Sequence, residues 1–379
     1  MNQLDRIRGC LLAGAAGDAL GAAVEFMDWP SIRQKFGERG IRDFTPAFGK
    51  LGAVTDDTQM MLFTAEGLLR AWVRQSARGI CHPPSVIHHA LLRWYITQGG
   101  KPKAEVTQDG WLIGVKDLWS SRAPGMTCMS ALGASQAFGD KASNDSKGCG
   151  GVMRIAPHAF FPQAFELAVE NAHLTHAHPS GYLAAGLFAD ILQRIFEQGC
   201  DLKDAIRQSL AEHGQKPGMA ETREMVEYAL RQSEAGIAPT PEGIAVMGGG
   251  WVAEEALGIG LWCALMANSL EEGICWAVNH TGDSDSTGLI AGNLLGIQLG
   301  PDAIPERWLE SLELREVIEQ LAHDIEWVPR TYCGDYSSNV AEDEAVWQST
   351  DLAGQLSELS GCGKSTSIVG HAQRVGRAV

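Results

Sequence analysis

Two short stretches of the chain set carboxylates beside hydroxyls where a helix is about to begin. In the segment from His280 to Gly296, the run Gly282-Asp283-Ser284-Asp285-Ser286-Thr287-Gly288 stands at the mouth of an apolar face made by Leu289, Ile290, Leu294, Leu295 and Ile297. A turn entering a helix presents such oxygens from a fixed backbone. Hard cations want that arrangement, because magnesium and calcium take carboxylate, hydroxyl and water oxygens and little else. An EF-hand loop is excluded, since the place of its closing bidentate glutamate is Leu294, on the apolar face. Taken alone, the run also reads as an ordinary helix cap with no metal.

The second stretch is Thr55-Asp56-Asp57-Thr58-Gln59-Met60, immediately before a helical run over 61–73. Capping accounts for one aspartate at the start of a helix but not readily for two. A self-contained Asp-Asp-x-x-Asp metal site would need an aspartate where Met60 stands, so the partner must be distant. Asp283 and Asp285 supply it if the two helix starts meet. Four carboxylates would then hold two divalent ions, about 3.5 to 4 Å apart as in other two-metal sites.

A third stretch, Lys147-Gly-Cys-Gly-Gly-Val-Met-Arg154, has in Gly148, Gly150 and Gly151 a backbone able to cradle an anion, although it has neither the Walker lysine nor a preceding strand. Trp251 follows Gly248-Gly249-Gly250 and is a candidate for stacking on an aromatic base, while by itself it reads first as an ordinary core residue. His82, His88, His89, His173 and His178 read as packing or surface histidines, since no cysteine or carboxylate completes a zinc set. Gly361-Cys-Gly-Lys-Ser-Thr366 imitates the end of a P-loop, but Glu358 occupies the position of its first glycine.

The elements that must position these groups are helical. Residues 4–23 form one helix with Ile7, Leu11, Leu12, Ala15, Ala19 and Ala22 on its apolar face, and Gly14, Gly17 and Gly21 let another backbone approach. Asp18 and Glu25 fit a solvated edge, yet charge in so small-residued a helix suggests that they face a cleft. Residues 27–54 read as a loop or flap with a short helix near Ser31 to Phe36. Further helices are expected over 84–98, 163–177, 179–198, 201–213, 220–235, 251–268, 303–310 and 312–324. The stretch 110–135, with Trp111, Trp119 and a turn at Arg122 to Thr127, is compatible with a ligand wall but not diagnostic of one. With no repeat and no strand-rich region, the class is all-α.

The 379 residues suffice for one large core or two modest ones, and 45% hydrophobic with 20% charged residues is an ordinary globular composition. Thirty basic against forty-six acidic residues give a net charge of -16, which argues against nucleic-acid and membrane-surface binding. Nine scattered cysteines without a Cys-x-x-Cys pair point to a reducing cytoplasm. The apolar segment after Arg8 is too short, between Asp5 and Asp18, for a signal peptide, and no stretch is long enough to span a membrane. From about Asp335 the composition turns to Ser, Asp, Glu, Gly and Gln, so residues 1–334 are read as the catalytic domain and 335–379 as a poorly ordered C-terminal extension.

Assembled, these stretches resemble the ADP-ribosylglycohydrolase family, which includes the dinitrogenase-reductase-activating glycohydrolase and the ADP-ribosylarginine hydrolases. The resemblance rests on Gly17-Asp-Ala-Leu-Gly with Glu25, Thr55-Asp-Asp-Thr, Gly148-Cys-Gly-Gly-Val-Met-Arg, Thr175-His176, Gly250-Trp-Val-Ala-Glu-Glu-Ala-Leu and Gly282-Asp-Ser-Asp-Ser-Thr-Gly, in family order over residues 4–325. It implies an all-α orthogonal bundle with a binuclear magnesium or manganese site below an ADP-ribose cleft. By that resemblance Thr55, Asp56, Asp57, Asp283, Asp285 and Ser286 match metal ligands, and Glu25 matches a flap glutamate over the distal ribose. Gly148, Gly150 and Gly151 match the loop near the pyrophosphate, while His176 and Trp251 match nucleotide-pocket positions. Cys149 stands where relatives carry asparagine.

The implied activity is removal of ADP-ribose from a modified protein side chain, with the Asp-Ser-Asp-Ser-Thr arrangement leaning towards arginine, and with Glu25, Asp56, Asp57 and Asp285 as catalytic groups. An alternative is an immunity protein that counters an ADP-ribosyltransferase toxin by reversing its modification or covering its active site. A catalytically silent relative would be expected to lose metal carboxylates, and all four are present.

Overall fold

The computed structural model describes residues 1–331, so the expected extension over 335–379 and the P-loop imitation at Gly361 lie outside the described residues. The chain opens with α1 (Gln3–Gly21), α2 (Trp29–Phe36), α3 (Asp56–Arg78), α4 (Pro83–Thr97) and α5 (Met126–Ala134). The middle comprises α6 (Ala164–His173), α7 (Pro179–Gln198), α8 (Leu202–His213), α9 (Ala220–Glu234) and α10 (Pro241–Met247). It closes with α11 (Ala253–Met266), α12 (Leu270–Val278), α13 (Ser284–Leu299), α14 (Glu306–Leu309) and α15 (Arg315–Thr331). Among the described residues, extended pairing is confined to two isolated bridges, Ala47 with Lys50 and Gly148 with Val252. The protein is all-α, as its sequence indicates.

Helix boundaries follow local chemistry. The Thr55 side chain accepts from the Asp57 N–H and caps α3, which ends at Gly79 in a left-handed conformation. Asp28 caps α2, prolines open α4 and α7, and the His178 ring accepts from the Ser180 N–H at the start of α7. His173, in turn, stacks on Tyr182, so both histidines have structural roles. Three short helices, α5, α10 and α12, stand where none is expected, while the helix expected over 303–310 is confined to α14 and the one expected over 312–324 starts later and runs on to Thr331 as α15.

The packing that matters most is α1 on α13. A methyl group on Gly9 or Gly17 would run into the carbonyl of Gly296 or Gly288, and one on Gly292 into the carbonyl of Ala13. Glycine at these facing positions brings the two backbones closer than larger side chains allow. Asn293 then reaches across to donate to the Cys10 carbonyl at 2.8 Å. Around this pair lies the larger of two buried apolar clusters among the described residues, in which Trp94, Trp262, Trp308, Phe63 and Phe188 are fully buried; Phe165, Leu183 and Met219 make the smaller one.

Candidate active site

Where α1 ends, Gly21 lies against the backbone of Ser284 and Asp285, with no room for a side chain between them. The chain therefore leaves α1 directly beside the start of α13, and Glu25 follows within the next turn. Asp283 is held by its own N–H, which donates to the Gly249 carbonyl at 2.7 Å. The preceding Gly282 has φ 150°, and a Cβ there would strike that same carbonyl.

The start of α3 arrives from the other side. Ser286 Oγ donates to Asp57 Oδ2 at 2.8 Å, so the two helix starts meet. Behind them Asp18, fully buried, accepts from the Thr55 N–H at 3.0 Å and the Thr58 N–H at 3.1 Å. Fully buried, it lies neither on a solvated helix edge nor on the face of a cleft as the sequence suggests, but braces the first turn of α3. Asp56 is oriented by the Gly125 N–H, which donates to Oδ2 at 3.1 Å from the turn before α5.

Glu25, Asp56, Asp57, Asp283 and Asp285 are all buried. Among the described residues no lysine or arginine pairs with any of them, and Glu25 Oε2 has no hydrogen-bond partner. One oxygen each from Glu25, Asp283 and Asp285 lies within 4.8 Å of the others. Burial, reinforced by the charges of Asp285, Asp283, Asp56 and Asp18, pushes the Glu25 carboxyl up to about 10. Burial, with Asp285 beside it, lifts Asp18 to about 7. Asp56, Asp57 and Asp283 rise well above the carboxylate range, chiefly through burial. So much negative charge with no positive partner is the electrostatic signature of a cation site, and the all-oxygen donors fit a hard divalent ion.

Beside the carboxylates stands the turn at Gly148–Gly151. It is fixed to the segment before α11, since the Cys149 N–H donates to the Trp251 carbonyl at 3.2 Å and the Ala253 N–H to the Lys147 carbonyl at 2.8 Å. Fully buried Arg154 donates to the Gly150 carbonyl at 2.7 Å, to the Asn171 carbonyl at 2.8 Å and to Thr175 Oγ1 at 2.9 Å. His176 is buried behind the turn, bonded to Thr175 and packed against Gly148, Gly150 and Gly151, rather than open to a ligand. The Cys149 thiol donates to Asp283 Oδ2 at 2.7 Å. Burial, then the charges of Asp283 and Asp57, keeps it protonated.

Trp251 is 46% exposed, so it is not a core residue. Its ring lies 6.1 Å from that of Phe26, with 22° between the planes. Phe26, 76% exposed next to Glu25, drew no attention in the sequence, although an apolar residue directly after a flap carboxylate was the available signal. The loop over 27–54 is stapled to this region. Asn279 exchanges hydrogen bonds with the Ile41 backbone at 2.8 and 2.9 Å, and buried Glu313 accepts from Lys50, Arg122 and the Val54 N–H. Glu313 lies in an unremarkable acidic stretch that sequence reading passed over.

The sequence profile of the ADP-ribosylglycohydrolase family matches residues 1–333. The chain belongs to that family. The ADP-ribosylarginine hydrolase Tri1 of Pseudomonas putida is 24% identical over 85% of this chain and 78% of its own length. The glycohydrolase of ADP-ribosyl-dinitrogen reductase from Rhodospirillum rubrum is 25% identical, covering 82% and 91%. A solved structure described as an ADP-ribosylglycohydrolase-related protein complex superposes with a TM-score of 0.63 at 28% identity, over 85% of this chain and 97% of that one. This ADP-ribosylglycohydrolase is thus an enzyme that hydrolyses ADP-ribose from modified substrates, and none of its described helices is long and apolar enough to cross a membrane.

Proposed function

We propose that this ADP-ribosylglycohydrolase removes ADP-ribose from modified arginine in a metal-dependent reaction. The observation that carries the reading is the Ser286–Asp57 hydrogen bond, which joins the two acidic helix starts into one unneutralised cluster. Thr55, Asp56, Asp57, Asp283, Asp285 and Ser286 would hold two magnesium or manganese ions, with Glu25 closing over them. Bound there, the ions would supply Lewis acidity and orientation for ribose hydroxyls and a water.

The chain's own residues explain the rest. Water adds to C1 of the ribose as the C1–N bond breaks, leaving ADP-ribose with a free 1-hydroxyl and a regenerated arginine. Oxocarbenium character develops at C1, as in other glycosidic cleavages. The buried carboxylates stabilise that positive charge. Glu25 keeps its proton while the cluster is unneutralised, and once ionised it accepts a proton from the attacking water. The glycine turn at 148–151, braced by Arg154 and His176, would lie along the pyrophosphate, and Trp251 with Phe26 would face the nucleotide. A guanidinium keeps its positive charge after ADP-ribosylation of one nitrogen, and an acidic cleft favours it over the neutral serine linkage.

The test follows free ADP-ribose released from arginine-linked and serine-linked substrates, with magnesium, manganese or chelator. Release from the arginine linkage that stops with chelator is expected, and Asp56→Ala or Asp285→Ala should abolish it with the helical circular dichroism unchanged. Undiminished turnover in the double variant would sink the mechanism.

A second reading, immunity towards an ADP-ribosyltransferase toxin, draws on the site's rim. Phe26, Met126 and Trp251 are exposed next to Glu25, Gly125 and the glycine turn, and give a protein an apolar surface to meet. An Asp285→Ala variant that still protected cells from such a toxin would establish this role, whereas loss of protection along with turnover would leave catalysis alone.

A further inference from the structure

In the motif from Gly250 to Leu257, Glu255 belongs neither to the acidic cluster nor to the glycine turn at 148–151. Its side chain turns back from the first turn of α11, and one oxygen, Oε2, accepts from the Gly249 N–H at 3.0 Å and from the Gly250 N–H at 3.1 Å. The Gly250 N–H belongs to the same peptide unit as the Gly249 carbonyl, and that carbonyl accepts from the Asp283 N–H at 2.7 Å. A planar trans unit points its N–H and its C=O in opposite directions, so fixing one end aims the other. Glu255 and Asp283 are therefore joined across a single rigid peptide.

The surroundings are shaped for this link. A Cβ on Gly248 would lie 2.2 Å from the Glu255 carboxyl carbon, and one on Gly282 would lie 2.0 Å from the Gly249 oxygen. Gly248 and Gly250, with φ 114° and 79°, flank the peptide with backbones that rotate freely. A Gly-Gly-Gly run has no side chain to keep the unit from turning over, and a turned unit would set an N–H against the Asp283 N–H. The Glu255 oxygen, bonded to both N–H groups, selects the orientation that accepts.

We infer that Glu255 is a positioning residue: through the Gly249–Gly250 peptide it holds the backbone of Asp283, and with it the carboxylate at the start of α13, in place for a divalent ion. The inference rests on the reading of Asp283 as a metal ligand, and it adds a support that acts through that ligand alone. Loss of such a support typically costs about 10–100-fold in metal affinity or activity.

The test compares full-length wild type with Glu255→Ala, Glu255→Gln and Ser269→Ala. Ser269→Ala removes the cap of α12, where the serine accepts from the Glu272 N–H at 3.2 Å, and controls for stability lost at a helix start. Hydrogen exchange of the Asp283 amide is followed by nuclear magnetic resonance in metal-free protein, and magnesium binding by equilibrium dialysis. Glu255→Ala should speed Asp283 exchange and weaken magnesium binding by about 10–100-fold. Glu255→Gln keeps an oxygen acceptor and should lose markedly less on both measures, while Ser269→Ala should lower the melting temperature and move neither. Asp283 exchange or magnesium affinity unchanged in Glu255→Ala would overturn the assignment. So would equal losses in Glu255→Gln, which would make the charge and not the held peptide the active feature, or in Ser269→Ala, which would reduce the effect to stability. Wild-type protein that binds no magnesium, while Asp283 exchange still depends on Glu255, would instead overturn the metal reading and leave the peptide link standing.

Discussion

At the scale of single residues, the cluster stores its own repulsion. In the unfolded chain Glu25 ionises near its ordinary value of 4.5, whereas burial and the neighbouring aspartates hold it protonated up to about 10 in the folded protein. Between those values the folded state binds the extra proton, so metal-free protein loses stability as pH rises. Asp18 acts in the same direction up to about 7. The melting temperature of metal-free protein should therefore fall steadily from pH 5 to pH 9, and Glu25→Gln should flatten that slope while lowering kcat by about 10²–10⁴-fold, the range for loss of a general acid or base. A wild-type melting temperature that rises over this interval would show that the cluster is not self-repelling. Residue types and spacing made Asp56, Asp57, Asp283 and Asp285 legible, because two acidic helix starts are hard to explain by capping. Asp18 was only half legible, since one carboxylate on a small-residue helix does not say whether it faces solvent, a ligand or the neighbouring backbone. The exposure of Trp251 was not legible at all, because it is set by what the fold places opposite.

At the scale of elements, the site is as precise as the contact between α1 and α13. Their approach depends on glycines that leave no room for a methyl group, and the same contact sets Glu25 and Asp18 against the start of α13. Gly17→Val should push the helices apart, at a cost of about 1–3 kcal/mol or more for overpacking, and should weaken divalent-ion binding along with stability in urea unfolding. A control such as Gly199→Ala, at a helix end with open space around it but a left-handed φ of 66°, should cost only the backbone strain of that conformation and leave ion binding intact. Equal effects on ion affinity would break the link between helix approach and site geometry. The long helices were legible from their apolar periodicity and their caps. The short α5, α10 and α12 were not, because nine residues or fewer give too few turns for a period to emerge. One of them matters, since the turn into α5 supplies the N–H that aims Asp56.

At the scale of the whole molecule, the acidic groups join distant parts of the chain: Glu25 after α1, Asp56 and Asp57 opening α3, and Asp283 and Asp285 at α13. The proposed cation would be shared by them only when all three are in place, so it would bind the folded chain and hardly the unfolded one. Mass action then raises stability with free ion concentration, by about 2.7 kcal/mol when the ion stands at a hundred times its dissociation constant. The effect should grow with pH, because each proton lost from the cluster leaves charge for the ion to neutralise. Thermal unfolding over a magnesium series at pH 6 and pH 8 tests both statements together. The melting temperature should climb with the logarithm of concentration, more steeply in its total gain at pH 8, and the Asp283→Ala, Asp285→Ala double variant should show neither trend. If the double variant climbs like the wild type, the stabilising ion sits elsewhere and the three segments are held by packing alone.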